Sequence, residues 1–334
     1  MSRQTDPFSR RKNPGAIGGM MRSRVREHTK QLSTKTRRNY TRACAAFDRW
    51  RKGERLSNKA VSKDPIGAIK RWRDALETEG YSTATIHTYI AGVCCGLGVS
   101  MAGLTRSGTS ADKRKSLGCS ERAKHALERP ENARIVTFQR MVGGRRSALQ
   151  RLTGSDLVQD ESGEWCVRFL RDKGGKDQLQ RIAPENIDEV KEFFAGVLPD
   201  RLIFSERIDR NLDLHGLRAE HARAEYKRYA KICSTPDGRD RMRAQLWARF
   251  QSPQYGNKAW LSAKAREDAA GMRRAERDFA AEMADGRYHL QRANRQTAKQ
   301  RGRPTSYDRL ALCCVSVFAL SHWRNEVTVK HYML

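Results

Sequence analysis

The sequence predicts a mainly α protein with a small antiparallel β-sheet, split into a helical first unit and an α+β second unit. Three observations predict this. Apolar residues recur at helical spacing along most of the chain. One stretch breaks that rule: EWCVRFLRD and QLQRIAP read as strands around the turn KGGK (Lys173 to Lys176), which is a β-hairpin. Finally, TRSGTSADKRKSLG (105–118) is rich in Ser, Gly and Lys without apolar periodicity, as expected of an exposed linker at a domain boundary. A length of 334 residues agrees with two domains.

Residues 1–32 are polar, basic and Gly/Pro-bearing, and read as a flexible basic arm. From Ser33 the text changes. STKTRRNYTRACAAFDRWRK spaces Tyr40, Ala43, Cys44, Phe47 and Trp50 as a helix, with Ser33 or Thr34 as N-cap. A second helix spans Pro65 to Glu79, with Ile66, Ile69, Trp72 and Leu76 on one face and Gly80 as its stop. A third starts at Ser82–Thr83 and carries Ile86, Tyr89, Ile90 and Val93. Residues 33–104 are therefore a small helical unit whose polar faces hold Lys and Arg. Such charges commonly make a solvated face; the charge of the whole chain favours a DNA-facing one.

The second unit begins near Cys119 and runs to residue 334. ARIVTFQRMVGGRRSALQRLTGSDL predicts a helix, a break at Gly143–Gly144, and a helix with Leu149 and Leu152. After the hairpin, IDEVKEFFAGVL is a helix closed by Pro199, and LHGLRAEHARAEYKRYAKIC is another. The segment 233–304 is long and highly charged, with a thin apolar stripe of Trp247, Phe250, Trp260, Leu261, Met272, Phe279 and Met283. It predicts helical pieces joined by polar loops. SYDRLALCCVSVFAL is an apolar helix with Ser306 as a possible cap. Thr328 is placed to cap a last short helix starting at Val329.

The formal net charge is +28, and the basic residues are spread from end to end. Such a chain repels itself unless a polyanion neutralises it, so nucleic acid is the leading partner. No apolar run is long enough to span a bilayer, and MSRQTDPFSRRKNPG lacks the apolar core of a secretory signal, so no membrane partner is expected. Eight cysteines include two adjacent pairs but no CxxC and no metal-ligand spacing with His. They read as small apolar residues of a reducing bacterial cytoplasm. No P-loop and no DxD or DDE-like carboxylate cluster is present, so neither metal nor ATP nor another cofactor is expected.

Five segments of the second unit hold cationic and nucleophilic side chains in a telling order: GGRRSALQRLTGSDL, the KGGK turn, HGLR, SHWR and HY. Together they resemble the tyrosine recombinase (phage-type integrase) family, over roughly Cys119 to Leu334. That family runs from an arginine at a helix start, through a β-turn lysine, an HxxR helix and a second His or Trp, to a tyrosine about ten residues later. The residues 33–104 fit its core-binding domain with weaker motifs. Matched by motif, Arg145 takes the place of the first arginine, anchored by Leu152 and Asp156, with Arg146 as rival. Lys173 matches the turn lysine, with Lys176 as rival. His215 and Arg218 match HxxR, His322 the second histidine and Tyr332 the nucleophile.

The chemistry explains the residue types. Phosphodiester exchange without metal needs cations around a phosphorane-like transition state, and arginine presents a permanently charged planar fork to phosphate oxygens. His215 and Arg218 are three apart, so one helix face presents both. A phenol ionises only near pH ~10, and neighbouring cations favour the phenolate. The resemblance implies His215 as base, His322 as donor to a phosphate oxygen, and Lys173 as the acid for the leaving 5′-oxygen. It also implies a 3′-phosphotyrosine intermediate, four protomers on paired double-stranded DNA sites, and a directionality factor as a further partner.

Departures from the family pattern are Ala148 where Glu is common, Ser321 where Gly is usual before the second histidine, and an end at Leu334 that leaves no segment for docking on a neighbouring subunit. Segment 233–304 is expanded. HGLRAEHA and SYDRLAL look like integrases of bacterial integrative elements, so integration and excision of mobile DNA is the first expectation. Alternatives are an Xer-type dimer resolvase, a catalytically silent DNA-binding accessory protein and a basic RNA-binding protein, the last without stacking-aromatic signatures.

Overall fold

A computed structural model of the chain describes residues 17–104, 120–172 and 175–334. It is mainly helical with two small antiparallel sheets. The chain divides into two compact units, Met1–Arg114 and Lys115–Leu334.

The first unit consists of α1 (Ile17–His28), α2 (Thr34–Gly53), α3 (Asn58–Lys63), α4 (Pro65–Thr78) and α5 (Thr83–Leu97). Ser33, Ser57, Asp64 and Ser82 each accept a hydrogen bond from the backbone N–H three residues on, closing the starts of α2 to α5. Caps of this type contribute about 1 kcal/mol each. The core gathers Phe47, Ile69, Trp72, Ile86, Ile90 and Val93. Trp72 lies parallel to Tyr89 at 5.8 Å and meets Phe47 edge-on at 5.2 Å.

Helix α1 corrects the expectation of a flexible arm over 1–32. Ile17, Met21 and Val25 are buried against the core, one turn apart. A Cβ on Gly96 would lie 2.8 Å from Cys44 Sγ and 2.9 Å from Met21 Cβ, so only glycine lets α1 and α5 come this close. Residues 1–16 of the arm and the linker 105–118 lie outside the described residues.

The second unit opens with α6 (Glu121–Glu128), α7 (Pro130–Val142) and α8 (Arg146–Leu149). The helix expected around Leu149 and Leu152 is this single turn, with Leu152 buried just beyond it. Strands β1 (Leu157–Gln159), β2 (Trp165–Asp172) and β3 (Lys176–Arg181) form an antiparallel sheet in that order, with Val167 opposite Leu157 and Gln180. The hairpin is where its alternation predicts it. β1, only three residues long, is too short to show a period. Helices α9 (Ile187–Phe194) and α10 (Leu214–Ile232) follow. Phe138, Leu149, Val167, Phe169, Val190, Leu214 and Leu217 form one core.

Segment 233–304 supplies α11 (Pro236–Gln251), α12 (Lys258–Lys264), α13 (Ala269–Glu282), β4 (Arg287–His289) and α14 (Arg292–Gln300). Its thin stripe suffices because it is aromatic: Phe250 stacks on Phe279 at 4.6 Å, and both meet Trp323 edge-on. β4 pairs with β5 (Ser306–Asp308). Ser306 is thus in a strand and Asp308 caps α15 (Arg309–Cys314), accepting from Ala311 N at 2.8 Å. A carboxylate two residues later competes better for the cap once Ser306 is held in the ladder. The helix widens into a π-type stretch, Val315–Ala319.

The final helix also differs from expectation. α16 (Asn325–Thr328) runs directly into a π-type stretch, Val329–Met333. Thr328 therefore lies inside the helix, and its hydroxyl bonds Ser316 Oγ at 2.6 Å instead of capping.

Candidate active site

Helix α10 organises the site. Asp213 caps it by accepting from Gly216 N at 3.0 Å. Leu214 and Leu217 anchor one face in the core, which leaves His215 and Arg218 one turn apart on another. Arg218 is only 2% exposed. Its Nε donates to the Tyr332 hydroxyl at 3.3 Å, from 114 positions away in sequence. Its other nitrogens donate to the carbonyls of Gly143 and, at 2.9 Å, Leu320. Both carbonyls sit at helix C-terminal ends, where acceptors have no partner within the helix and carry partial negative charge. Gly143 has φ of +70°, the left-handed conformation that ends α7 and aims its carbonyl at Arg218. Burial lowers the pKa of Arg218, and nearby Arg145 adds to that, while Tyr332 opposes it.

Tyr332 is buried, and its backbone carbonyl accepts from Arg223 at 3.0 Å. The His215 ring lies 5.3 Å from the Tyr332 ring, and the His322 ring is nearly parallel to it at 6.4 Å. Burial, then Arg218, Arg145, Arg324 and His331, push the pKa of His322 down to about 3. Its imidazole is neutral at physiological pH. His322 Nε2 lies 3.4 Å from Thr328 Oγ1, while Nδ1 is buried without a hydrogen-bond partner.

The two rival arginines part company. Arg145 donates to the buried Asp172 carboxylate and to Gln178 Oε1 at 2.7 Å, on the hairpin. Arg146 donates to the carbonyls of Asp209, at 2.8 Å, and Leu212, tying down the loop before α10. Burial lowers the pKa of Arg146, offset by Asp209 and Asp213. Lys173 lies outside the described residues. Lys176 is exposed at the start of β3; partial burial, Lys258 and Arg324 lower its pKa.

The structure thus brings Arg145, Arg218, His215, His322 and Tyr332 into one neighbourhood of the second unit. Sequence reasoning did not single out Asp172, Gln178, Arg223 or Lys258. Asp172 ends a predicted strand, but nothing in its spacing signals that its carboxylate meets Arg145. Ala148, where the resemblance leaves a carboxylate missing, is buried in the core.

A groove of about 1030 Å³ adjoins these residues. It is lined by Arg145, Lys176, Lys258, His322 and Arg324 among others. In the first unit, Lys35, Arg38, Arg42 and Arg49 of α2 are all exposed. At 3.6 residues per turn they fall within a sector of about 60°, opposite Cys44 and Phe47. Among the described residues, no group of three or more His, Cys, Asp or Glu converges to hold a metal ion, and no helix is long and apolar enough to cross a membrane.

Compared with known proteins, the sequence matches no family model and no curated protein. Among solved structures, one titled "Crystal structure of XerA recombinase" is similar at 15% identity and a TM-score of 0.24, covering 86% of this chain and 99% of that one.

Proposed function

We propose that the chain is a DNA strand transferase of the tyrosine recombinase type, acting as a tetramer on paired sites to integrate or excise mobile DNA. Resolution of replicon dimers is the alternative use. The observation that carries the reading is the hydrogen bond from Arg218 to the Tyr332 hydroxyl, with the rings of His215 and His322 beside it. A buried guanidinium aimed at a phenol is a poor choice for stability alone, because burying a charge is costly. It is a good choice where that oxygen must attack a phosphate.

In the reaction, the Tyr332 oxygen attacks phosphorus, the bond to the 5′-oxygen breaks, and a 3′-phosphotyrosine and a free 5′-hydroxyl result. His215 takes the phenolic proton. Arg145 and Arg218 bind the non-bridging oxygens, whose charge grows in the transition state. For Arg145, the phosphate replaces the Asp172 carboxylate as the acceptor. Neutral His322 donates a ring N–H to a phosphate oxygen. Lys173 delivers a proton to the departing 5′-oxygen. Attack by the 5′-hydroxyl of a partner strand then reverses these steps and frees Tyr332.

A nicked duplex carrying the recombination site, which traps the covalent species, tests the reading. Wild type is expected to form a protein–DNA adduct in chelator without ATP. Tyr332→Phe, which keeps the ring, is expected to lower adduct formation by at least ~10³-fold, as loss of a nucleophile does. An equal yield from both proteins would remove Tyr332 from the role.

A further inference from the structure

The expanded segment contributes a wall to the groove beside the site. Residues 253–259, 261 and 262, from the loop after α11 and from α12, line it together with the start of β3, residues 321–324 and Val327. The charges of the groove divide into two sets. Arg145 and Arg249 line it with carboxylates already bound, Asp172 for the first and Asp160 and Glu161 for the second. Lys176, Lys258 and Arg324 have no ion pair among the described residues. The single carboxylate in the lining, Asp177, accepts from Arg171 N at 2.9 Å. Lys258 and Arg324 are close enough to Lys176 to make its charged form less favourable. Three cations that repel one another around a concave surface are a cost to the free protein, and a polyanion removes that cost.

We propose that Lys258, with Lys176 and Arg324, forms a second phosphate-binding site, which holds the sugar–phosphate backbone of the DNA strand next to the phosphate under attack. The proposal rests on the strand-transferase reading for its position along the strand, but not for its existence. His322 and Arg145 line the same groove, so a strand lying in it continues directly into the reaction centre. A cleft this large accommodates a ligand well beyond a single phosphate. Segment 233–304 thereby gains a task as a substrate wall built onto the catalytic unit.

The test is the salt dependence of duplex binding, measured in a Tyr332→Phe background so that no covalent chemistry contributes. Each phosphate contact contributes about −0.9 to the slope of log K against log salt on duplex DNA. Lys258→Gln and Arg324→Gln together are expected to make that slope shallower by about 2. Lys191→Gln, which removes one charge, is the control, since Lys191 already pairs with Asp188 and lies over Trp165 elsewhere in the unit. Its slope should equal that of the parent. An unchanged slope in the double variant, with folding verified by circular dichroism, would overturn the proposal. So would an equal change per charge removed in the Lys191 control, which would mean bulk charge alone. If wild type forms no adduct with nicked DNA while the double variant loses its slope, the strand-transferase reading fails and the phosphate site stands. The reverse pattern removes only the site.

Discussion

Two arginine clusters in the second unit look alike in sequence and differ in what surrounds them. In the first, Arg181 and Arg249 share the Asp160 carboxylate at 2.6 and 2.8 Å, and Arg249 also holds Glu161 at 3.0 Å. Both guanidinium groups lie over the Phe318 ring, at 3.6 and 5.6 Å from its centroid. In the second, which holds Arg145, Arg218, Lys176, Lys258 and Arg324, the one ion pair among the described residues is that of Arg145 with Asp172. Arg218 satisfies its donors with two carbonyls and a phenol. The first cluster is balanced and joins hairpin, α11 and the apolar helix into one body. The second keeps positive charge unneutralised around a groove. Compensated arginine builds the fold; uncompensated arginine needs an anion from outside.

The contrast breaks if the wrong cluster controls stability. Arg249→Ala removes one partner of a buried pair and leaves Glu161 unmatched and Asp160 with Arg181 alone. Such a loss costs ~3–5 kcal/mol, which should appear as a large drop in the denaturant midpoint. Arg145→Lys is the opposite case. It keeps a cation beside Asp172, so stability should change by less than about 1 kcal/mol, but it loses the planar fork for phosphate. Adduct formation on nicked DNA should fall by about 10²-fold, the usual scale for one misplaced transition-state donor. If Arg145→Lys unfolds the protein instead, Arg145 belongs with the balanced cluster.

The smallest effect concerns His322. Its folded pKa of about 3 lies below the ordinary value of the unfolded chain, ~6.5. Between those values the unfolded chain takes up a proton that the folded site excludes, so stability is fully present above pH ~6.5 and is lost as pH falls toward 3. His221, buried against α7 with its Nδ1 at 3.0 Å from the Arg140 carbonyl, shifts in the same direction. His322→Gln should therefore lose about 2 kcal/mol less stability than wild type between pH 7 and pH 5, measured by urea unfolding at each pH. Equal losses would mean that burial and the positive surroundings of the ring do not control its protonation.

Much of this arrangement was legible in the residues, and the failures have physical causes. The hairpin followed from alternation, and α10 lies where LHGLRAEHARAEYKRYAKIC reads as a helix. Helix α1 was hidden because a polar, basic stretch with three apolar residues one turn apart looks unfolded until a glycine-flattened partner accepts them. The caps expected at Ser306 and Thr328 were misjudged because cap choice depended on neighbours supplied from elsewhere: the β4 ladder for Ser306 and the Ser316 hydroxyl for Thr328.

By itself the sequence determined which side chains could meet a phosphate. Residue type, chain order and helical spacing are local properties, and they nominated Arg145 or Arg146, Lys173 or Lys176, His215, Arg218, His322 and Tyr332. Only the tertiary structure decided what each of the described ones meets. Pairing of Arg145 to Asp172, of Arg146 to the carbonyls of Asp209 and Leu212, and of Arg218 to Tyr332 depends on groups tens of residues away, and desolvation and ion pairing act through space.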